Sequence, residues 1–523
     1  MAKKSTATEP VVPQDLGQNQ NIPPVQQDQS TKQPSAPVPS QFPPTKEDVD
    51  RLANYEYFDR LFMGEHFEAF TIQVRDKQFN IAYGKLRYIK ANFAGLLSRI
   101  IADMLFSEPI KIKVKSNQEW VDAFVRENNL HVQLYESELT SSSLGDAVFK
   151  LRGGPRHPEN DKDESTVILE QVSPRIYFPE VDPFNASGDP NRVIIAWKFK
   201  QGDKEYLRQE IHSYRKIENK VYLMNGKEVK AEVDPSTVGL TLEAQEDTKV
   251  DECLVVHVPN WRKSSTYFGV SDYYDLDALF YALNNRMTMI DNILDKHSDP
   301  ILMVPPGVID KDGKVNKKAL GVIEYEEGTT GEPKYIVWDA SLENAFKEIE
   351  ELVKLLFMTS EISPDILGMG QGQSDSGRAL KFKLLRTIAK ARRKRLYYDN
   401  AIKAIIYRAQ LLAAAFNLKC GGISPGKAEY PEIEWADGLP ADDLEAAQVE
   451  QIRLDSGTTT TKDAIMRLDG VDEDVAEAKA KEVEEERRLE LPAMDPNTNF
   501  TGDPNNKDMK SNMEKGKPTN PVK

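Results

Sequence analysis

The spacing of hydrophobic positions changes several times along the chain. Over 46–106 apolar residues recur at helical intervals. In ANFAGLLSRIIADMLF, Phe93, Leu96, Leu97, Ile100, Ile101, Met104 and Leu105 keep the spacing of one buried helix face. Pro109 stops that helix, and IKIKV at 110–114 alternates as a strand with one wet face does. A helical pattern resumes over 117–144. From 146 to 260 the alternation of strands takes over in AVFKLR, TVILEQV, RVIIAWKFK, EIHSYRKI, KVYLM and ECLVVHV. The turn-forming clusters GGP, NASGDP and NGK separate these runs, which predicts an antiparallel sheet within a mixed domain.

Helical spacing returns at 271–297, which reads as one long helix with Leu276, Leu279, Phe280, Leu283, Met287, Ile290 and Leu294 as its apolar set. Ser271 or Asp272 can cap it, and Lys296 and His297 suit its last turn. Short strands and turns fill 301–338. A second helix follows at 342–359, a third at 376–416, and an acidic helix-prone stretch at 441–489. Two long helices holding a small β excursion form a projecting stalk. Apolar residues on more than one side of 276–294 need neighbours that a single stalk does not supply, so the chain is expected to oligomerise. The expected fold class is α+β.

Composition narrows the picture. The 523 residues leave room for roughly two to four domains. Residues 1–45 are rich in Pro, Gln and Ser, with Phe42 their one aromatic; like 491–523, they bury too little to offset ordering entropy and are expected to be disordered. Cys253 and Cys420 are the only cysteines, so no disulfide framework is indicated. No signal peptide and no membrane span is expected. A formal net charge of -16 argues against a surface that grips nucleic acid tightly, since such binding rests on neutralising phosphates. It is compatible with a surface that lets nucleic acid pass.

The main candidate for chemistry is GMGQGQSDSGRALKFK at 368–383. A Walker loop needs GxxxxGK[ST] between strand and helix. Here Gly377 is followed by Arg378 and Ala379, and a helix precedes. The dinucleotide fingerprint fails too, because Gln373 stands where its third glycine belongs. The mechanical reading is stronger: Pro364, Gly368, Gly370 and Gly372 break the helix and free a loop between two helices, and Ser374 or Ser376 caps the next. The six histidines are scattered, with no pair at i, i+4. Asp295, His297 and Asp299 could ligate a metal, but solvated side chains at a helix end are the simpler reading, and no cofactor is expected. The basic residues Lys381, Lys383, Arg386, Lys390, Arg392, Arg393, Lys394 and Arg395 crowd one part of the third helix. They suit an acidic neighbour, in the chain or on another subunit, and the subunit interface is the favoured reading.

Four stretches in order resemble the portal proteins of tailed double-stranded DNA bacteriophages. The most specific is PNWRKSSTYFGVSDYYDLDALFYALNNRMTMIDNILDKHSDPILMVPP at 259–306, similar to that family's V-P-N strand end, F/Y-G-x-S-D, a helix with A-L-N, and D-P-x-L. ISPDILGMGQGQSDSGRALKFKLLRTIAKARRKR is similar to its SG-x-A-L-K segment. NFAGLLSRIIADMLFSEPIKIKV near the start is a third, and AAQVEQIRLDSGTTTTKDAIMRLDGVDEDVAEAKAKEVEEERRLE, more weakly, resembles its C-terminal region.

The resemblance implies a non-enzymatic ring, usually of about twelve subunits, at one capsid vertex. It is a virion component, present in the host cytoplasm during assembly. Terminase would pump double-stranded DNA through its channel without sequence preference, and head-completion and tail proteins would dock later. Major capsid and scaffold proteins are implied partners. Carried onto this chain, 1–45 is a tail, 46–260 the wing, 261–297 and 342–360 the stem, and 298–341 the clip. Residues 361–376 fall where the family has its tunnel loop, 377–416 would be the long helix to the crown, 417–490 the crown, and 491–523 a second tail. The implied channel residues are Gly368, Met369, Gly370, Gln371, Gly372 and Gln373, with Arg378 and Lys381 touching DNA weakly. Lys311, Lys314, Lys317 and Lys318 would face terminase and the connector. The rival readings are a nucleotide-using enzyme built on the glycine run and a capsid scaffold or adaptor built on the same helices.

Overall fold

A computed structural model describes residues 40–74, 88–157, 159, 163–298, 301–303, 334–336, 342–369, 377–435 and 443–490. The chain divides into two compact units. The first holds residues up to 99, 111–340 and 396–434; the second holds 100–110, 341–395 and 435 onward.

In the first unit, α1 (Lys46–Phe62) begins at Thr45, whose hydroxyl accepts the Asp48 amide proton at 3.0 Å. Then come α2 (His66–Val74), the first residues of α3 (Phe93–Phe106), α4 (Gln118–Glu127) and α5 (Leu130–Leu144). Trp120 and Phe124 of α4 are fully buried and stack at 5.6 Å. β1 (Lys111–Lys113) pairs antiparallel with β13 (Glu432–Glu434), so the chain beyond 416 returns to this unit; Cys420 Sγ lies 3.2 Å from Thr166 Oγ1.

Two antiparallel sheets follow. One has the order β10-β2-β3, from β2 (Asp146–Gly154), β3 (Thr166–Val172) and β10 (Val255–Pro259). The other runs β4 (Tyr177–Glu180), β5 (Arg192–Gln201), β6 (Lys204–Ser213), β7 (Lys216–Asn225) and β8 (Glu228–Val233), with β9 (Gln245–Asp247) also on β7. The expected α+β class is what the structure has. EIHSYRKI, read as one strand, is a hairpin: Tyr214 and Arg215 turn the chain, with Arg215 at φ +60. Tyr-Arg is no turn signal, so the pattern hid the corner.

The expectation of disorder through residue 45 is corrected for 40–45. The Phe42 amide donates to Lys227 O at 2.8 Å, and the Val229 amide to Ser40 O at 3.1 Å, so the segment bridges to β8. The Phe42 ring is buried with Phe178, Leu207 and Tyr222. β8 itself went unread, because its row of charged side chains is exposed. Of the expected 271–297 helix, only α6 (Asp277–Ser298) is helical; 272–276 are turns. Beyond it, β11 (Ile301–Met303) pairs antiparallel with β12 (Lys334–Ile336). Lys311, Lys314, Lys317 and Lys318 lie outside the described residues.

The second unit contains the end of α3, α7 (Glu343–Ser360), α8 (Gly377–Lys383), most of the basic part of α9 (Leu385–Phe416), and the helices α10 (Asp443–Asp455), α11 (Thr461–Asp469) and α12 (Glu473–Glu490). The expected single helix from 377 to 416 is thus two, meeting at Leu384. The Arg395 guanidinium lies 5.5 Å from the centre of the Trp435 ring, and Phe106 packs on the same ring at 5.8 Å. Glu450 is nearly buried and takes both nitrogens of an Arg467 fork at 2.9 Å, so this acid of the acidic segment is satisfied within the chain.

One buried ionic cluster sets an acid limit. Glu210 accepts from His212 Nε2 at 2.7 Å and from Lys150 Nζ at 3.3 Å. Burial alone would raise its carboxyl; the two partners outweigh that and lower it to about 2. A depressed carboxyl contributes stability above its unfolded value of 4.5, lost as pH falls towards 2. Glu210→Gln is expected to flatten the pH dependence of urea unfolding between those values, by at most about 3 kcal/mol.

Candidate functional site

Two places gather the residues that the sequence singled out. The first is the root of α6. β10 ends at Pro259, and the Asn260 amide donates to Gly145 O at 2.8 Å. Gly145 closes α5 in the left-handed region at φ +102. Opposite it lies Gly269, where a Cβ would stand 2.1 Å from Gly145 O. Two backbones touch here with no room for a side chain.

The rest of the FGVSD stretch fastens that contact. Gly269 N donates to the buried Asp146 carboxylate at 2.7 Å; His257 Nε2 at 2.6 Å and the Tyr55 hydroxyl at 2.5 Å bond the same group. The Ser271 hydroxyl donates to Ser143 O at 2.5 Å. Asp272 accepts from the Ser142 hydroxyl at 2.8 Å and from the Asn260 side-chain Nδ2 at 3.1 Å. The Ser271 hydroxyl also accepts the Tyr273 amide at 3.1 Å, so it caps the turns at 272–276, Asp272 is taken by Ser142 and Asn260, and α6 starts only at Asp277. Tyr273 is fully buried and donates to Ala94 O at 2.9 Å. Burial pushes its hydroxyl far above the usual range, so it stays a donor.

The buried polar residues of α6 continue the attachment. Asn284 accepts the Ala91 amide at 2.9 Å and donates to His66 Nδ1 at 2.7 Å, while His66 Nε2 donates to Leu61 O at 3.0 Å. Burial lowers the His66 pKa, which keeps the ring neutral for both bonds. Thr288 accepts the Ile89 amide at 3.0 Å. The first motif thus docks on the segment 89–94, where the third motif begins. The sequence marked Asn284 only as part of a pattern; a polar residue among apolar ones on a helix was the available signal.

The second place lies in the second unit, where α7 ends and the glycine loop begins. Glu361 is left-handed at φ +61, and both Arg386 and Arg393 bond its carboxylate, Arg386 at 2.5 Å. Burial would raise the Glu361 carboxyl, but Arg393, Arg386 and Lys390 outweigh it and hold the group below its ordinary value. Lys390 Nζ donates to Ser360 O at 3.0 Å, the Ser363 amide to Thr387 Oγ1 at 2.8 Å, and Lys383 stands 3.6 Å from Asp365. Ser363 caps the short turn Pro364–Leu367, which Gly368 ends at φ +70. Lys383, Arg386 and Arg393, three of the eight basic residues, therefore serve acidic neighbours within the chain. Lys381 and Arg392 are exposed, without an ion pair among the described residues.

Of the channel residues expected from sequence, Gly368 faces open space and Met369 is exposed. Gly370, Gln371, Gly372 and Gln373 lie outside the described residues. Arg378 is in the first turn of α8, and Lys381 one turn later. The sequence missed Glu361, Ser363 and Thr387 as the anchors. No group of His, Cys, Asp or Glu among the described residues is placed to hold a metal ion, and no described helix is long and apolar enough to cross a membrane.

The profile of a protein family described as "Phage portal protein, SPP1 Gp6-like" matches residues 45–491. The chain belongs to this phage portal family. A portal protein is structural, so the enzyme reading falls away. The α+β portal fold and the connector role of the family apply to it. No curated protein matches the chain. Among solved structures, a chain in a virion of a native gene transfer agent particle is 11% identical, with a TM-score of 0.38. A chain in the neck of an empty gene transfer agent particle, computed with C6 symmetry, is 13% identical with a TM-score of 0.39. Each alignment covers 72% of the portal chain and 89% of the other.

Two substitutions test the anchors. Gly269→Ala forces Gly145 away and should cost about 1–3 kcal/mol or more, read as a fall in the melting temperature of the portal. At Glu361, alanine keeps the left-handed strain and loses the clasp, whereas glycine loses the clasp alone. Glu361→Gly should therefore be more stable than Glu361→Ala by about 1 kcal/mol, with both below the parent.

Proposed function

We propose that this portal protein closes into a ring, of about twelve copies, whose channel carries double-stranded DNA into and out of a capsid. Terminase docks on the ring during packaging, and head-completion and tail proteins replace it. Capsid and scaffold proteins surround it at the vertex, and it forms in the host cytoplasm. The observation that carries this reading is the family match over 45–491. It is supported by a glycine-rich loop whose start is fastened through Glu361 and Ser363 to the helix that follows it.

Within that reading, 46–260 is the wing, 261–297 and 342–360 the stem, and 298–341 the clip with Lys311, Lys314, Lys317 and Lys318 towards terminase. Residues 361–376 are the tunnel loop, and 377–416 lead to the crown at 417–490. The chain's net charge of -16 limits adhesion to moving DNA. Arg378 and Lys381 are the residues that touch its phosphates in passing.

Negative-stain electron microscopy of the full-length protein, with its mass, tests the ring. Twelve chains of 59.1 kDa give roughly 0.7 MDa and a central hole. A monomer that binds nucleotide would overturn the reading. Replacing Arg378 and Lys381 together by glutamine should alter packaging rate or packaged DNA length; unchanged values remove these two residues from the channel.

A further inference from the structure

The second unit shows two exposed helix faces among its described residues, one on α7 and one on α9. α7 buries Leu356, Phe357 and Ser360. On the opposite side, Glu351, Leu355 and Met358 recur at i, i+4 and i+7; Leu355 is 47% and Met358 77% exposed. α9 buries Thr387 and Ala391, with Leu384 buried just before it, while Arg386, Lys390 and Arg393 reach the end of α7. Leu385, 59% exposed, and Arg392 repeat at i and i+7, on the flank of α9 turned away from those contacts. One face sets two apolar residues beside an acid, the other one apolar residue beside a base.

We infer that these are the two halves of one head-to-tail contact between copies of this chain: the Glu351, Leu355, Met358 face of α7 receives the Leu385, Arg392 face of α9 from the next copy. The inference rests on the ring reading above and names the surfaces that build it. Two features select a second copy as the occupant, in the heterologous arrangement that closes into a ring. The charges of the two faces are complementary, with Arg392 exposed and without an ion pair among the described residues. Methionine and arginine beside leucine also suit the core of a protein interface better than open water. Lys354 reaches Glu351 at 2.6 Å within α7, but both side chains are more than half exposed, so the pair is weak and readily exchanged.

The test is a charge-reversal cycle on the full chain: Glu351→Arg, Arg392→Glu, and both together, with ring fraction read by analytical ultracentrifugation. Each single change should weaken association about tenfold or more, and the double change should restore it in large part. A second readout covers a protein that stays monomeric when purified. Met358→Cys with Leu385→Cys, cross-linked in assembled particles, should give a ladder in multiples of the chain mass, whereas neither single cysteine should. Rings that form normally in all three charge variants, or particles without a ladder, overturn this contact and leave the portal reading intact. Particles that lack the protein altogether overturn the portal reading itself.

Discussion

The contact between Gly145 and Gly269 is the constraint on which the first unit depends. Two backbones meet where not even a methyl group fits, and that closeness sets every bond around it. Because Gly269 sits against Gly145, its amide reaches Asp146 and Ser271 reaches Ser143. Because those bonds exist, residues 272–276 are held as turns and α6 leaves from a fixed position. Apolar packing alone would not specify this, since it is tolerant of small displacements. A buried, hydrogen-bonded set of polar groups is not.

The glycine loop is organised differently. Its anchors, Glu361, Arg386, Arg393 and Lys383, are ionic and partly exposed. Such pairs are individually weak and screened by salt, so the start of the loop is held by several modest contacts rather than one deep one. Only Ser363 with Thr387 and Lys390 with Ser360 are buried. The two attachments thus differ in the free energy needed to open them, and the cheaper one lies beside the glycines.

Much of this was legible beforehand for definable reasons. Helical spacing found α3, α6, α7 and α9, because long amphipathic helices repeat a signal many times. The alternation in β2, β3 and β5 was equally plain. What escaped was set by tertiary contacts. Ser271 and Asp272 look like helix caps, but Ser271 caps turns and bonds Ser143, and Ser142 and Asn260 take Asp272. The break at Leu384 leaves the apolar pattern intact on both sides. The basic run of α9 had two readings, and charge alone could not place Glu361 beside it. The family pattern over 259–306 was readable as a pattern, but the reason for its glycine lies more than a hundred residues earlier, at Gly145.

The strip at 40–42 carries a last consequence. An open strand edge is a template on which any other strand can grow, and it imposes no limit on how many chains join. β8 would offer such an edge in every copy. With Ser40 and Phe42 bonded at its start and the Phe42 ring sunk beside Phe178, the beginning of that edge is occupied by the chain's own backbone. For an assembly that must stop at a definite number of subunits, that blunted edge disfavours a competing, unbounded mode of aggregation.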